Sequence, residues 1–347
     1  MLTAWIVALL IFLALLYAGR GFLAWTVGLA ALLIGWRMAG VESAWLWWTL
    51  LVAGAGAAAL TGRDEWRRRF ITPRLMTLME RAMPRIGQTE REALEAGSVW
   101  WDAQLFSGKP DWNELLNYRI TPLSDREQAF LDGPVETLCR MIDDWQVTQK
   151  RDLPEEVWTF VKEKGFFGLV IPEEYGGLGF SAIAQSRVVT RLSSRSIPLA
   201  VTVMVPNSLG PGELLLKYGT EEQRDHYLPR LACGEEIPCF GLTGPEAGSD
   251  AAATQSTGVV VRRKIGGKSQ LGIVLNWQKR YITLAPVATL IGLAFRLKDP
   301  DGLLGDTEDL GITCALVPAD AKGVSIGRRH DPMGVPFHNG PIEGKDV

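Results

Sequence analysis

The sequence is poor in the residues that build metal sites. Its few histidines lie far apart and form no H-E-x-x-H motif: His226, His330 and His338. Its cysteines show no C-x-x-C spacing, which argues against a zinc site and a disulfide framework: Cys139, Cys233, Cys239 and Cys314. We predict no metal site, assign the histidines to surface or packing positions, and expect reduced thiols, as in a cytoplasmic protein.

Familiar catalytic motifs are also lacking. The chain has no G-x-S-x-G elbow, and its "GGKS" at 266–269 lacks the first P-loop glycine, because Arg262 stands there. Pairs of glutamates such as Glu155 and Glu156 are adjacent in sequence, so they are predicted to be solvated charges rather than a facing acid–base pair. These residues therefore assign no nucleophile and no general base.

Neither sign of charge dominates the composition. The chain has 36 lysines and arginines against 39 aspartates and glutamates, a net charge of -3. A mildly acidic protein lacks the basic surface that binds a phosphate backbone. We therefore predict that nucleic acid is not a partner.

Long apolar runs are present, but only near the start, at 2–17, 22–36 and 44–60. At about 1.5 Å per residue the first two are short for a bilayer core of roughly 30 Å, so the number of spans stays open. A cleaved signal peptide is the alternative for the first run, but no basic segment precedes it. Arginines follow the last run, which predicts an inner-membrane anchor with the body on the cytoplasmic side: Arg63, Arg67, Arg68, Arg69 and Arg74.

The third run carries two patterns that each allow two interpretations. Its three tryptophans could form an aromatic belt at the opposite membrane interface, or they could lie on a buried helix face: Trp45, Trp47 and Trp48. Gly54, Gly56 and Ala59 match the dinucleotide pattern G-x-G-x-x-A. Because no strand precedes them and no acidic residue follows about 20 positions on, they predict small-residue helix packing instead.

The remaining sequence predicts a helical region followed by a β region. Residues 63–123 indicate a helical connector without a readable function. Between 124 and 236, capping boxes at Ser124/Glu127 and Thr220/Gln223 and apolar residues three and four apart predict helices. From 237 to 347, short β-rich runs between Gly, Pro and Asp turns predict a β-barrel or β-sandwich. The fold class is therefore α+β, preceded by membrane helices.

The stretch "CFGLTGPEAGSD", 239–250, lies on the boundary between these two regions. Its small residues would let backbone N–H groups approach a ligand, and hydroxyls and a carboxylate stand beside them: Thr243, Ser249 and Asp250. Ligand clefts often form at such boundaries. An ordinary surface turn is the alternative, and the local pattern alone leaves both open.

Three stretches together resemble one known family: "PEEYGGLG" at 172–179, "YGTEEQRDHYLPRLACGEEIPCFGLTGPEAGSD" at 218–250 and "KRYIT" at 279–283. Their order and spacing are similar to those of the acyl-CoA dehydrogenases. With its apolar start, the chain most resembles the membrane-associated fatty acyl-CoA dehydrogenase of proteobacterial β-oxidation, the FadE type. The resemblance runs through essentially the whole chain, and the 33-residue stretch at 218–250 is highly specific.

The resemblance implies FAD as prosthetic group and dehydrogenation of a fatty acyl-CoA to a trans-2-enoyl-CoA, with electrons leaving to an electron-transferring flavoprotein. A carboxylate would remove the α-proton while the β-hydride passes to the flavin. The residues that the resemblance places at the cofactor are Phe240, Leu242, Thr243, Ser249, Tyr281, Ile282 and Thr283. It also places Ser249 at the substrate, Tyr281 over the flavin ring and the Thr283 hydroxyl near flavin N5.

Three departures from the family pattern qualify this expectation. Gly244 stands where the family often has glutamate, and Tyr281 where it often has tryptophan, so we expect altered flavin packing rather than its loss. The family continues into a C-terminal helical bundle with the catalytic glutamate and the dimer contacts, whereas this chain ends at Val347. We therefore expect no catalytic base in the chain, little activity, weak FAD binding, and a homodimer only in a longer form.

The predicted organisation has four parts. They are a transmembrane segment at 1–62, a helical connector at 63–123, a helical domain at 124–236 and a β domain at 237–347. Two classes of protein other than a flavoenzyme are also compatible with the sequence. One is a catalytically dead membrane scaffold or interaction protein that retains the fold. The other, a soluble oxidoreductase with a cleaved signal, is disfavoured by the arginines after Leu60.

Overall fold

The computed structural model of the protein describes residues 2–40, 43–82, 91, 95, 100–208 and 210–347. The chain divides into two compact units, Met1–Ile86 and Gly87–Val347. Part of the helical connector predicted at 63–123 lies outside the described residues.

The N-terminal unit begins with three apolar helices, α1 (Leu2–Tyr17), α2 (Gly21–Met38) and α3 (Ala44–Gly62). They coincide with the three predicted apolar runs. By length and composition α2 and α3 could cross a membrane, a test that core helices of soluble proteins and signal sequences also pass. Within α3 no residue is buried, and in α2 only Ala24 and Leu33 are, so both helices expose most of their apolar surface.

Contacts between α2 and α3 bear on the glycines and the tryptophans of the third apolar run. A Cβ at Gly54 would lie 2.4 Å from Cδ2 of Leu29, so this glycine permits close helix packing, as predicted. A Cβ at Gly56 would meet no atom within 4 Å, so the prediction does not hold there. Trp47 donates from its indole Nε1 to the backbone carbonyl of Leu33 at 2.8 Å. Trp45 and Trp48 are 72% and 60% exposed. The three tryptophans thus divide between a helix contact and the outer surface.

The same unit continues through an arginine-rich segment. A short helical turn at Asp64–Trp66 and a π-helical turn at Arg67–Ile71 lead into helix α4 (Thr72–Ala82). Arg69 follows two further arginines within the π-helical turn.

The second unit starts with a helical domain. Its helices are α5 (Trp112–Leu116), α6 (Asp125–Phe130), α7 (Glu136–Met141), α8 (Asp144–Lys150), α9 (Glu155–Glu163), α10 (Ala182–Ser193), α11 (Ile197–Met204), α12 (Pro211–Tyr218) and α13 (Glu221–Ala232). A π-helical turn, Leu131–Val135, connects α6 to α7, and a 3₁₀ turn, Glu173–Tyr175, lies in the loop before α10.

Both predicted capping boxes are confirmed. The Ser124 hydroxyl accepts from the amide of Glu127 at the start of α6, and the Thr220 hydroxyl accepts from the amide of Gln223 at the start of α13. Each pair satisfies two amides that the helix itself leaves unpaired.

The β domain contains strands β1 (Pro238–Gly241), β2 (Thr257–Ile265), β3 (Lys268–Thr283), β4 (Leu290–Lys298), β5 (Asp309–Pro318), β6 (Val324–Ile326) and β7 (Asn339–Gly344). Their order is β1-β4-β2-β3-β7-β6, with β5 paired to β4. The long strand β3 pairs with β2 through its first half and with β7 through its second half. It therefore joins two groups of strands.

The "GGKS" stretch forms the tight turn between β2 and β3. Gly266 and Gly267 have φ angles of 58° and 80°, which residues with a Cβ rarely adopt. Ile265 pairs with Lys268 directly across these two glycines. The glycines serve a β-hairpin, and the rejection of a phosphate loop is consistent with this geometry.

Apolar packing joins the helical domain to the β domain. The small cluster at this boundary contains residues from both: Ile171, Leu215, Leu228, Leu231, Ala232 and Leu290. Strand β4 is buried from Leu290 to Phe295, so it forms the centre of the β domain. The boundary brings β1 against helix α12.

Candidate cofactor site

The turn after β1 is anchored to strand β3. The amide of Arg280 donates to the carbonyl of Thr243 at 3.0 Å, and the Arg280 guanidinium donates to the carbonyl of Pro245 at 2.8 Å. Within the turn, the amide of Gly244 donates to the carbonyl of Ala247 at 2.9 Å. These bonds place the turn beside β3.

A buried lysine adds a second anchor to the same turn. Lys279 is only 1% exposed, and its Nζ donates to the carbonyl of Leu242 at 2.8 Å and to the hydroxyl of Thr254 at 3.1 Å. Burial lowers the pKa of Lys279 from 10.5 to about 8, because it disfavours the charged amine. Lys279 thus connects β3 with the turn at Leu242 and with the segment before β2.

Strand β3 presents Tyr281 through a break in its pairing with β7. Lys279 pairs with Ile342 and Ile282 with Gly340, so two residues of β3 oppose a single residue of β7. Tyr281 lies in this bulge with a φ of 61°, a left-handed conformation that is strained for a tyrosine. Its ring is 58% exposed. A strained and exposed aromatic residue beside an anchored turn is a candidate for contact with a ligand.

A polar network follows Tyr281 and reaches Thr283. The Asn339 side-chain amide donates to the Thr283 hydroxyl at 3.3 Å, and its carbonyl oxygen accepts from Nδ1 of His330 at 3.0 Å. The His330 ring lies 5.1 Å from the Tyr281 ring, centroid to centroid. Because the Thr283 hydroxyl accepts from Asn339, its own hydrogen stays available for a ligand.

Sequence reasoning did not assign His330 and Asn339 to this site. The pairing of β3 with β7 brings them there, across 56 residues between Thr283 and Asn339. His330 was placed among surface or packing residues, and its half-buried position in the network fits a packing role. Local sequence around Asn339 contains no motif that could have indicated it.

The other predicted cofactor residues occupy separate positions. Ile282 is 3% exposed and belongs to the core of the β domain. Phe240 lies against Gly292, in a cleft of about 460 Å³ that helix α12 also lines. Ser249 is exposed on the far end of the turn. The described contacts therefore bring together Leu242, Thr243, Tyr281 and Thr283, and leave Phe240 and Ser249 at the margins.

A larger cleft of about 530 Å³ adjoins the turn. Its wall contains Gly244 and Ala247 of the turn, Gln278 of β3 and Glu343 of β7. A Cβ at Gly244 would lie 3.5 Å from the carbonyl of Gln278, an ordinary contact. The predicted cofactor residues do not line this cleft, so it lies beside the candidate site rather than in it.

Family models match both domains of the second unit. Residues 124–235 match the acyl-CoA dehydrogenase N-terminal domain, and residues 239–347 match the acyl-CoA dehydrogenase middle domain. The chain belongs to the acyl-CoA dehydrogenase family.

Named relatives agree with this assignment. The chain is 28% identical over 257 residues to the human mitochondrial very long-chain specific acyl-CoA dehydrogenase, which is 72% of this chain and 38% of that protein. It is 33% identical over 254 residues to the probable acyl-CoA dehydrogenase FadE10 of Mycobacterium bovis, 72% of this chain and 37% of that protein. The chain thus spans less than half the length of either relative.

A solved structure shows the same fold. The acyl-CoA dehydrogenase of Bacillus anthracis complexed with FAD is similar with a TM-score of 0.54 at 22% identity, over 67% of this chain and 40% of that chain. At this identity the likeness supports the fold alone.

Proposed function

We propose that the protein takes part in FAD-dependent α,β-dehydrogenation of a fatty acyl-CoA to a trans-2-enoyl-CoA, the first step of fatty acid β-oxidation. The observation that carries this proposal is the backbone hydrogen bond from Arg280 to Thr243 at 3.0 Å. It joins the two segments that resemble flavin-binding segments of the family, although 37 positions separate the two residues.

The residues present fit a flavin. The Thr283 hydroxyl has a hydrogen to donate, and the half-buried Thr243 adds a second hydroxyl beside the anchored turn. Tyr281, on the same strand as Thr283, offers an exposed aromatic side chain. Hydroxyl donors beside an aromatic face suit a flat heterocycle with hydrogen-bond acceptors along one edge.

Each of these residues would help to hold the flavin and to stabilise its reduced form. The FAD, once bound, would supply the acceptor for the hydride that leaves the β-carbon of the acyl-CoA. Tyr281 would cover one face of the flavin and exclude water from it. Thr243 and Thr283 would donate hydrogen bonds to its polar edge, where negative charge accumulates on reduction. We assign no described residue as the base that removes the α-proton.

The proposal includes the membrane attachment of the enzyme, its electron acceptor and its oligomeric state. Residues 1–62 would attach it to the inner membrane, with residues 63–123 connecting them to the helical domain at 124–236 and the β domain at 237–347. The exposed apolar surfaces of α2 and α3 support the attachment, and Arg63 with the arginines after it supports a cytoplasmic body. An electron-transferring flavoprotein would accept the electrons, and the enzyme would act as a homodimer of FadE type.

The function is tested in membranes from cells that carry the gene. Reduction of an artificial electron acceptor is measured with a saturated long-chain acyl-CoA, beside membranes from cells that lack the gene. The variant Thr283→Val removes the hydroxyl but retains the volume, and we expect its rate to fall about 10²-fold, as for loss of one oriented donor. Thr283→Ser keeps the hydroxyl and should remain within a few-fold of the wild type.

Two results would contradict the proposal. One is an acyl-CoA-dependent rate that is equal with and without the gene. The other is a Thr283→Val variant that is as active as the wild type at the same protein and FAD content. The amount of FAD bound by the purified chain, read from its absorbance, separates loss of the cofactor from loss of the donor.

A further inference from the structure

Helix α4 (Thr72–Ala82) has a continuous apolar face. Leu75, Leu78 and Met79 recur three and four positions apart and so lie on one side of the helix. Their side chains are 57%, 63% and 50% exposed. In an ordinary soluble helix such a face would be buried, because each exposed aliphatic side chain costs free energy in water.

Arginines border this face. From Arg63 to Ala82 the chain has six arginines against three carboxylates, a net charge of +3. Arg74 and Arg81 are seven positions apart, so they lie above one another along one edge of the apolar face. Arg74 also donates to the carbonyl of Phe70 at 2.5 Å, which directs its stem along the helix.

Two aromatic residues precede the helix and pair with arginines. The guanidinium of Arg63 lies 5.3 Å from the centre of the Trp66 ring, and that of Arg69 lies 5.6 Å from the centre of the Phe70 ring. Trp66 and Phe70 are 39% and 44% exposed. Tryptophan and phenylalanine beside arginines are typical of helices at the boundary between lipid headgroups and acyl chains.

We propose that α4 lies in the interface of a bilayer rich in anionic lipids. Its apolar face, Leu75, Leu78 and Met79, would enter the acyl boundary, and its arginines would contact lipid phosphates. The charge complementarity decides between possible occupants, since the net charge of +3 from Arg63 to Ala82 suits an anionic headgroup layer. An acidic protein surface is the competing partner and is distinguished by the experiment.

This inference does not require the dehydrogenase activity. It shares with the proposed function only the attachment of the chain to a membrane. Helix α3 ends at Gly62, and α4 begins at Thr72, so a short stretch of chain separates them. If α3 reaches a membrane surface, α4 begins within reach of the same surface.

The test uses the full chain reconstituted into vesicles of phosphatidylcholine alone or mixed with phosphatidylglycerol. An environment-sensitive fluorophore is attached at Leu75→Cys, in a background where the exposed Cys233 and Cys314 are serine. Thr77→Cys is the matched control, because it lies roughly 160° round the helix from Leu75. We expect a blue shift, and quenching by brominated lipid, at position 75 with phosphatidylglycerol, and neither at position 77.

Charge variants then test the arginines. Arg74→Glu with Arg81→Glu should abolish the blue shift at position 75, whereas Arg74→Lys with Arg81→Lys should retain it. Loss of the shift at high salt would agree with the same interpretation. Equal emission in both lipids, or an unchanged shift after charge reversal, would overturn the proposal. A shift that appears only when a second protein is added would overturn it in favour of a protein partner.

Flotation of the vesicles measures whether the chain attaches to the membrane at all, independently of where α4 lies. If the chain floats with the vesicles but the label at position 75 does not respond, the inference about α4 fails and the membrane attachment stands. If the chain does not float with either lipid mixture, the attachment fails as well.

Discussion

The Lys279 side chain is almost fully buried, and no carboxylate is bonded to it among the described residues. Its partners are neutral, the carbonyl of Leu242 and the hydroxyl of Thr254. Either protonation state of the amine can donate to both. The hydrogen bonds that hold the turn therefore do not require Lys279 to be charged. The free energy of unfolding, in contrast, depends on the protonation state of Lys279.

The first prediction concerns the pH dependence of stability. The pKa of Lys279 is lowered from 10.5 to about 8, so between these pH values the unfolded chain binds a proton that the folded chain has released. Raising the pH through this window therefore stabilises the folded state relative to Lys279→Met, which cannot titrate there. The difference should reach on the order of 3 kcal/mol, from the free energy per pKa unit.

Chemical denaturation at a series of pH values measures this difference. Lys322→Met, at an exposed lysine, is the control and should follow the wild type. Near neutral pH, Lys279→Met also leaves the Leu242 carbonyl without its bond from Nζ, which costs about 1–3 kcal/mol if the group stays buried. Parallel curves for the wild type and Lys279→Met between pH 8 and 10.5 would contradict the assigned pKa.

The candidate site could be predicted only where its residues are close in sequence. The sequence predicts Thr243, Tyr281 and Thr283 as cofactor residues because they belong to short recognisable stretches. His330 and Asn339 were missed because strand pairing, and not local spacing, brings them beside β3. The positive φ of Tyr281 could not be predicted either, because it results from the bulge in the pairing of β3 with β7.

At the scale of elements, one carboxylate joins the starts of two helices. Glu127 accepts from the amide and hydroxyl of Ser124 at 2.8 and 3.0 Å, and from the amide of Ser181 at 2.7 Å. Ser124 caps α6 and Ser181 caps α10. Hydrogen bonds from Ser124 and Ser181 lower the pKa of Glu127 from 4.5 to about 2, since they stabilise the ionised form.

The second prediction follows from this lowered pKa. Because the folded state favours the ionised Glu127, its contribution is complete above pH 4.5 and is lost as the pH falls towards 2. Glu127→Gln should therefore lower the free energy of unfolding by roughly 1–3 kcal/mol at neutral pH. The gap between the two proteins should close as the pH falls through this window.

Thermal denaturation monitored by circular dichroism at each pH provides the measurement. Glu163→Gln, at an exposed glutamate at the end of α9, is the matched control and should show little change. A gap between the wild type and Glu127→Gln that stays constant down to the acid limit would show that the charge of Glu127 does not matter.

Most elements could be predicted from periodicity and caps, and the exceptions have local causes. Apolar residues three and four apart predict helices between 124 and 236 but do not indicate every break: the chain turns extended at Ile142, and Asp143 caps a new helix. The sequence of strand β7, "NGPIEG", does not indicate a strand by itself, because asparagine, glycine and proline are poor strand formers. Its pairing with β3, and not its own propensity, makes it a strand.

At the scale of the whole second unit, polar contacts join the helical and β domains beside their apolar boundary. His338, just before β7, is 6% exposed and lies 2.9 Å from a carboxylate oxygen of Asp152, which lies between α8 and α9. The indole of Trp158 donates to the same oxygen at 3.3 Å. Trp158 packs against the cores of both domains. These three side chains form a connection that neither domain could make alone.

The last prediction is that His338 and Asp152 are coupled in stability. In a double-mutant cycle with His338→Ala and Asp152→Ala, the other bonds of Asp152 cancel, and the remaining coupling should be about 1 kcal/mol. Chemical denaturation of the four proteins measures it. The exposed pair Arg126–Glu173, within the helical domain, is the control and should couple by less, because solvent screens it. Additive effects of the two alanine variants would show that His338 and Asp152 lie close together without stabilising the contact between the domains.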